Sequence, residues 1–234
     1  MTTSAMLKKL SLLESDLHEI KNAVEKAERS TSGEIRIALT AESAHYSFWE
    51  LLAAVCVGAF VCAVLVPLSG FANSMLARFF WVQRIWEVPA YTGLISFACI
   101  IIAFYVFNIP FFDRLVVPRR VMRKCVKNRA FRFFAESAVY DTENHSGILI
   151  FVSYLEREVR IIADRGIAEK ISPDLWKIIS DELASEIKAG NVKMGFINAI
   201  EKCASLLLQN FPSQEKKLNE LPDALVILED AEWF

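Results

Sequence analysis

Two stretches of this chain contain no charged side chain: Leu51–Ala77, 27 residues long, and Val88–Phe112, 25 residues long. A helix crossing the hydrocarbon core of a bilayer needs about 20 mostly apolar residues. Both stretches exceed that length, and a run of this kind is longer than an ordinary buried core helix requires. The expectation is a two-helix transmembrane hairpin, residues 47–112, with spans at about 48–68 and 91–112. Glu50 stands at the mouth of the first span, and Pro110 falls near the end of the second, where a break costs little. Trp49, Trp81, Trp86, Tyr91 and Phe111 lie near the expected interfaces, as an aromatic belt does.

The hairpin explains why 54% of the 234 residues are hydrophobic, more than a soluble domain usually carries. Setting residues 47–112 aside leaves 168 residues, enough for one modest globular core. The two apolar runs speak against a purely soluble protein and against a transporter with many spans, and composition excludes a disordered chain and a disulfide-rich secreted scaffold. The five cysteines are odd in number and form no CxxC pair. Cys56, Cys62 and Cys99 lie in the apolar runs and read as small hydrophobes, so a reducing compartment fits. The N-terminus, MTTSAMLKKL, has no long apolar segment beside its basic residues and does not read as a signal peptide.

Charge orients the hairpin. Segment 113–134 holds Arg114, Arg119, Arg120, Arg123, Lys124, Lys127, Arg129 and Arg132 against Asp113 alone, a net of +7. The loop at 69–90 has Arg78 and Arg84 against Glu87. The positive-inside rule puts that loop outside and both termini in the cytoplasm of a cell (inner) membrane. Arg114, Arg119, Arg120, Arg123, Lys124 and Lys127 are the candidates for contact with anionic head groups, each giving about 1 kcal/mol near the surface. A solvated helix face is the other reading of some of them. Nucleic acid is not an expected partner: residues 135–234 carry 18 acidic and 10 basic side chains, which repels phosphate backbones.

The remaining residues read as one α/β domain in two parts, 1–46 and 113–211, with a tail at 212–234. Residues 11–29 read as a helix, with a capping box from Ser11 to Glu14 and a stripe of Leu13, Leu17, Ile20, Val24 and Ala27. Glu34–Leu39 alternates and is β-branched, so it reads as a strand. Residues 115–138 read as a basic amphipathic helix, and Asp141–Ser146 as a polar turn. Gly147–Val152 is a continuous apolar run, the pattern of a strand buried on both faces. Glu156 and Arg157 turn the chain into a hairpin partner carrying Val159, Ile161 and Ala163. Ser172 and Pro173 open a helix as N-cap and first residue, with Leu175, Ile178, Ile179, Leu183 and Ile187 on its core face and Gly190 at its end. A last helix carries Phe196, Ile197, Ile200, Leu207 and Phe211 and stops at Pro212. Ala224–Leu228 is a candidate edge strand in the tail.

The order helix, strand, helical crossover, strand, strand, helix, helix makes the first two strands parallel, in a three-layer α/β/α arrangement. Glu34 starts strand one, His145 precedes strand two, and Asp164 ends an antiparallel strand three. All three are expected on one rim, the rim away from the bilayer, about 20 Å from the other edge of the sheet. Asp164, Glu34 and His145 are therefore the candidates for proton-transfer work, and Glu34 and Asp164 for oxygen ligation of a divalent cation such as calcium or magnesium. The alternative is that the two carboxylates cap backbone N–H groups and His145 is a solvated loop residue. At the opposite edge, Ser153 ends a parallel strand, where open α/β sheets place ligands. Glu156 and Arg157 read there as a surface ion pair, or Arg157 as an outlier of the basic cluster.

The segments Ala27–Ile35, Thr142–Ser153, Glu156-Arg157 and Ala163–Ile167 together resemble the TPM-domain, phosphatase-like family. The resemblance implies a Rossmann-like α/β/α sandwich. It also implies either an acid phosphatase, in some members with divalent-cation binding, or an assembly or receptor accessory protein. Without a phosphate loop or a catalytic triad, the sequence favours a membrane-anchored accessory or assembly factor with a membrane-protein partner or self-association. A phosphatase-like hydrolase is the alternative. A pore of oligomerised hairpins is disfavoured, because neither span holds a charge in its middle.

Overall fold

The computed structural model describes residues 3–76, 86–140, 145–212 and 225–228. Along the chain these form α1 (Thr3–Lys9), α2 (Glu14–Ser30), β1 (Glu34–Thr40), α3 (Ser47–Leu76), α4 (Glu87–Phe107), α5 (Pro110–Val116) and α6 (Arg119–Glu136). Then follow β2 (Gly147–Ser153), β3 (Glu158–Ala163), α7 (Arg165–Ala168), α8 (Pro173–Ala189), α9 (Val192–Asn210) and β4 (Val226–Leu228). The chain divides into two compact units, one of Met1–His45 with Arg120–Phe234 and one of Tyr46–Arg119.

The first unit is built on a mixed four-stranded sheet in the order β3-β2-β1-β4. β1 pairs in parallel with β2, Glu34 opposite Gly147 through Thr40 opposite Ser153. β3 returns antiparallel to β2, and β4 lies parallel to β1 at the other edge. β2 is buried at all seven positions, which is why its sequence is a continuous apolar run rather than an alternating one. The two faces of the sheet are covered separately. Ile35, Ile37, Leu39, Ile148, Ile150 and Val152 point into a large core with α2, α8 and α9. Ala38, Leu149, Phe151 and Ile162 point the other way, onto Val126, Ala130 and Phe133 of α6.

Several local details differ from the sequence reading. α2 begins at Glu14, not at a Ser11 cap; Ser11 has φ 53°, and the Asp16 carboxylate accepts the Leu13 N–H at 2.9 Å instead. The residues ahead of it form α1, whose Met6 joins the core together with Leu10 and Leu12. The buried stripe of α8 is Trp176, Ile179, Ser180 and Leu183, while Leu175 and Ile178 are exposed. Both stripes have helical spacing; the bulk of Trp176 decides between them, since burying an indole removes more apolar area from water than burying either aliphatic residue. Ser172 accepts the Asp174 N–H at 3.3 Å and Gly190, at φ 87°, closes the helix. The single basic helix expected at 115–138 is two: α5 ends at Val116, and Pro118, which lacks an N–H and disfavours helix before it, separates it from α6.

The second unit contains two helices long and apolar enough to cross a membrane, by length and composition: Ser47–Phe71 and Pro89–Phe107. The second apolar helix stops at Phe107, five residues short of the expected end at 112. Asn108 caps the C-terminus of α4 and donates from its side-chain amide to Glu50 Oε2 at 3.0 Å, which gives the carboxylate at the mouth of α3 a polar partner. Gly58 of α3 allows close approach to α4, since a Cβ there would fall 2.2 Å from Ile100 Cγ1. Trp81, Arg78 and Arg84, used above for the aromatic belt and the outer loop, lie outside the described residues, as do 141–144 of the polar turn and Ala224 of the edge strand.

Candidate functional site

The parallel pairing of β1 and β2 gives the sheet two chemically different ends. At the end where these strands begin, Glu34 stands in register with Gly147, and its N–H donates to Ser146 O at 3.2 Å. Asp164 follows the last residue of β3, and its N–H donates to Gly147 O at 2.9 Å. The backbone around Gly147 thus places the two acidic residues on the strands that flank β2, at the same end of the sheet. Both are largely buried, whereas the side chain of His145 is mostly exposed.

His145 has φ 46°, in the left-handed region, and this turns its ring toward Asp164. His145 Nδ1 lies 3.3 Å from Asp164 Oδ2 and 3.3 Å from the Tyr140 carbonyl oxygen. Both neighbours are acceptors, so the neutral ring carries its hydrogen on Nδ1 and leaves the Nε2 lone pair toward solvent. Asp164 Oδ1 accepts the Arg165 N–H at 2.6 Å. Asp164 therefore caps the first turn of α7 through Oδ1, while its buried Oδ2, without a hydrogen-bond partner among the described residues, lies beside the exposed His145 ring, whose Nδ1 bonds the Tyr140 carbonyl. Glu34, at the start of β1, lies on the same rim on the other side of β2.

Among the described residues Glu34 and Asp164 stand on this rim, and the Glu28 carboxylate accepts the Ile35 N–H at 2.8 Å beside Glu34. Calcium takes about six to eight oxygens and magnesium about six. Among the described residues no group of three or more His, Cys, Asp or Glu side chains could hold a metal ion.

At the opposite end, loop residues 41–45 and the β2–β3 turn are tied together. Tyr154 and Leu155 donate their N–H groups to Thr40 O at 3.0 Å and Ala41 O at 2.9 Å. Ser153 Oγ donates to Glu156 Oε2 at 2.5 Å and lies 2.7 Å from Ser43 Oγ, and the Ser43 N–H donates to Glu156 Oε1 at 2.9 Å. With Ser153 donating to the carboxylate, Ser43 is the donor of the Ser–Ser bond. Glu156 is thus a bridge between segments 113 residues apart, not the surface ion-pair partner of Arg157 that the sequence suggested. Ser153 is about as buried as a side chain can be, and both Glu156 oxygens are occupied, so the network fixes the loop and does not present a nucleophile. Its signal in sequence was slight: a Ser and a Glu three residues apart at a strand end.

The basic residues sort by helix face. Met122, Val126, Ala130 and Phe133 of α6 face the sheet. Arg120, Arg123, Lys124 and Lys127 are exposed on the same helix, as is Arg119 at its start, while Arg114 of α5 is half-buried. Arg123 Nε comes within 3.8 Å of Glu158 Oε2, and Lys127 Nζ lies 5.7 Å from the Phe131 ring centre.

Residues 115–206 match the family model of the TPM domain. The chain carries a TPM-domain region. The matched residues take in α6, β2, β3, α7, α8 and most of α9, so β1, the parallel neighbour of β2, comes from outside the match. The NMR structure of BA42 protein from the psychrophilic bacterium Bizionia argentinensis is similar in fold. It superposes with a TM-score of 0.54 at 19% identity, over 92% of this chain and 94% of that one. No curated protein matches the chain. The TPM-domain region contains Asp164, His145, the exposed face of α6 and the Ser153–Glu156 bridge, while Glu34 and Ser43 join it from the segment before α3.

Proposed function

We propose that this chain is a membrane-anchored TPM-domain protein acting as an accessory or assembly factor at the cytoplasmic face of the cell membrane. Its first unit is read as a Rossmann-like α/β/α sandwich and its second as a transmembrane hairpin. One observation carries the reading. The two apolar helices interrupt the chain between strands that pair with each other, and only 11% and 6% of their most apolar windows are buried. A core helix of a soluble protein would be mostly buried, and so much exposed apolar surface in water is unfavourable at roughly 25 cal/mol per Å². The exposed basic face of α6 supports attachment to anionic head groups, and the excess of basic residues after α4 supports cytoplasmic termini. The partner is a membrane protein or a second copy of the chain.

The test is purification of the tagged full chain from membranes in a mild detergent. The accessory reading expects a stoichiometric membrane-protein complex, and no phosphomonoester hydrolysis above that of Asp164→Asn. A chain that appears in the soluble fraction without detergent defeats the proposal.

The His145–Asp164 pair favours a second reading, a phosphatase-like hydrolase. In it His145 Nε2 would take a proton from a water whose oxygen bonds to phosphorus as the ester P–O bond breaks, the alcohol leaving with a proton from solvent, while Asp164 would steady the ring; Glu34 and Asp164 are the residues that would hold a divalent cation, with further ligands from solvent or substrate. This reading expects hydrolysis of p-nitrophenyl phosphate that disappears in His145→Gln and Asp164→Asn, and a melting temperature that rises with millimolar calcium or magnesium. Equal hydrolysis by the wild type and both variants removes it.

A further inference from the structure

A cavity of about 320 Å³ opens between the β2–β3 hairpin and the last turns of α8. Its apolar wall is Val152, Val159, Ala184 and Ile187. Its charged groups are Arg157, Glu158 and Lys188. Glu158 is already engaged, with Arg160 at 2.9 Å and Arg123 at 3.8 Å. The hydroxyl hydrogen of Ser153, at the base of the cavity, is given to Glu156. Among the described residues no carboxylate pairs with Arg157 or Lys188. The cavity therefore combines an apolar wall with two cations that form no ion pair among the described residues, and one carboxylate, Glu158, already held by Arg160 and Arg123.

Arg157 also sits where a side chain is unwelcome. Its φ is 53°, a left-handed conformation that favours glycine, at the fourth residue of the turn joining β2 to β3. A glycine would close this turn with less strain. Backbone strain held at the lip of a cavity is a reason to look for a ligand there.

We infer that this cavity binds a small amphiphilic anion, with its phosphate or carboxylate head between Arg157 and Lys188 and a short apolar body along the aliphatic wall. Arg157 and Lys188 are exposed at the cavity, Arg presenting a planar fork to such a head group and Lys a point charge, and the aliphatic wall gives the carbon body apolar contact. The volume falls at the lower end of the range for small-molecule sites, which suits a head group with a few carbons. A carboxylate or phosphate of this kind has two sources, a soluble metabolite or the head group of an anionic lipid. The cavity is formed within the first unit alone, so the inference stands apart from the accessory reading above.

Butyl phosphate is the probe, titrated calorimetrically into the full chain in phosphatidylcholine nanodiscs, with butanol as the neutral control. The expected result is saturable binding of butyl phosphate and none of butanol, weakened about tenfold in Arg157→Gly and again in Lys188→Gln, the loss typical of one charge-assisted contact. Arg157→Gly should melt no lower than the wild type, because it relieves the left-handed strain; lost binding in that variant then cannot be laid to unfolding. Repeating the titration with phosphatidylglycerol in the disc separates the sources. Weaker binding there identifies a lipid head group as the occupant, and unchanged binding a soluble anion. No saturable binding of butyl phosphate, or equal binding by the wild type and the double variant, overturns the inference.

Discussion

Gly147 lies so close to Val139 that a Cβ at this position would stand 2.0 Å from the Val139 carbonyl oxygen. The obstacle is backbone, which cannot rotate away as a side chain end can. The same glycine pairs with Glu34 and accepts from the Asp164 N–H, so moving it disturbs both strands on either side. Gly147→Ala should destabilise the first unit by about 3 kcal/mol, at the upper end of overpacking effects. Urea unfolding followed by circular dichroism in detergent reads this directly. A shift smaller than that of an exposed control such as Lys177→Ala would show that the contact is not tight.

Asp16 makes a pH-dependent contribution at the start of α2. The Leu13 N–H that its carboxylate accepts, and after it Lys193, hold the carboxyl below its ordinary value of 3.8. Lys193 is in turn raised by its bonds to Glu19 and Asp16. A depressed carboxylate stabilises the fold above its unfolded value, and that stabilisation is lost as pH falls through the folded one. Asp16→Asn should therefore melt slightly below the wild type at pH 7, with the difference shrinking below about pH 4. A difference that stays constant from pH 7 to pH 2.5 contradicts this.

Cys203 points the other way. It is buried in α9, and burial pushes its thiol up from 9.0 to about 12. A raised folded value means that the stabilisation is fully present below pH 9 and fades as pH rises toward 12. The native thiol should resist a disulfide reagent at pH 8 and react once the chain unfolds in urea. The stability advantage of the wild type over Cys203→Ala should narrow above pH 9. Rapid modification of Cys203 in the folded protein would refute its burial.

The direction of the hairpin is tested by labelling. In a background without the five native cysteines, Gln83→Cys should react with an impermeant maleimide on intact cells, and Ser213→Cys only after the membrane is opened. The reverse pattern would invert the orientation drawn from the basic residues.

What could be read from the sequence was what local physics controls. β2 was legible because seven consecutive residues must all be buried, and α8 because Ser172, Pro173 and Gly190 punctuate it. The strand directions put Glu34, His145 and Asp164 at one end of the sheet, but the 3.3 Å approach of the histidine depends on the positive φ of His145, which no sequence pattern announces. The bridge from Ser43 to Glu156 was illegible because its halves are 113 residues apart and each half alone looks like ordinary loop polarity. The buried face of α8 was misread because two helical stripes overlap there, and only the packing of Trp176 against the sheet distinguishes them.

The pairing of Glu34 with Gly147 has a consequence for how the protein is made. β1 leaves the ribosome early, yet its neighbour β2 is not synthesised until more than a hundred residues later. At about 5–20 residues per second, the wait is on the order of ten seconds. For that time Ile35, Ile37, Ala38 and Leu39, all buried in the finished sheet, form an apolar strand with two open edges. Such a strand is a template for the wrong partner. Nascent chains should therefore depend on a holding chaperone while residues 41–146 are being made, and slowing translation within that interval should raise aggregation more than slowing it after Ser153.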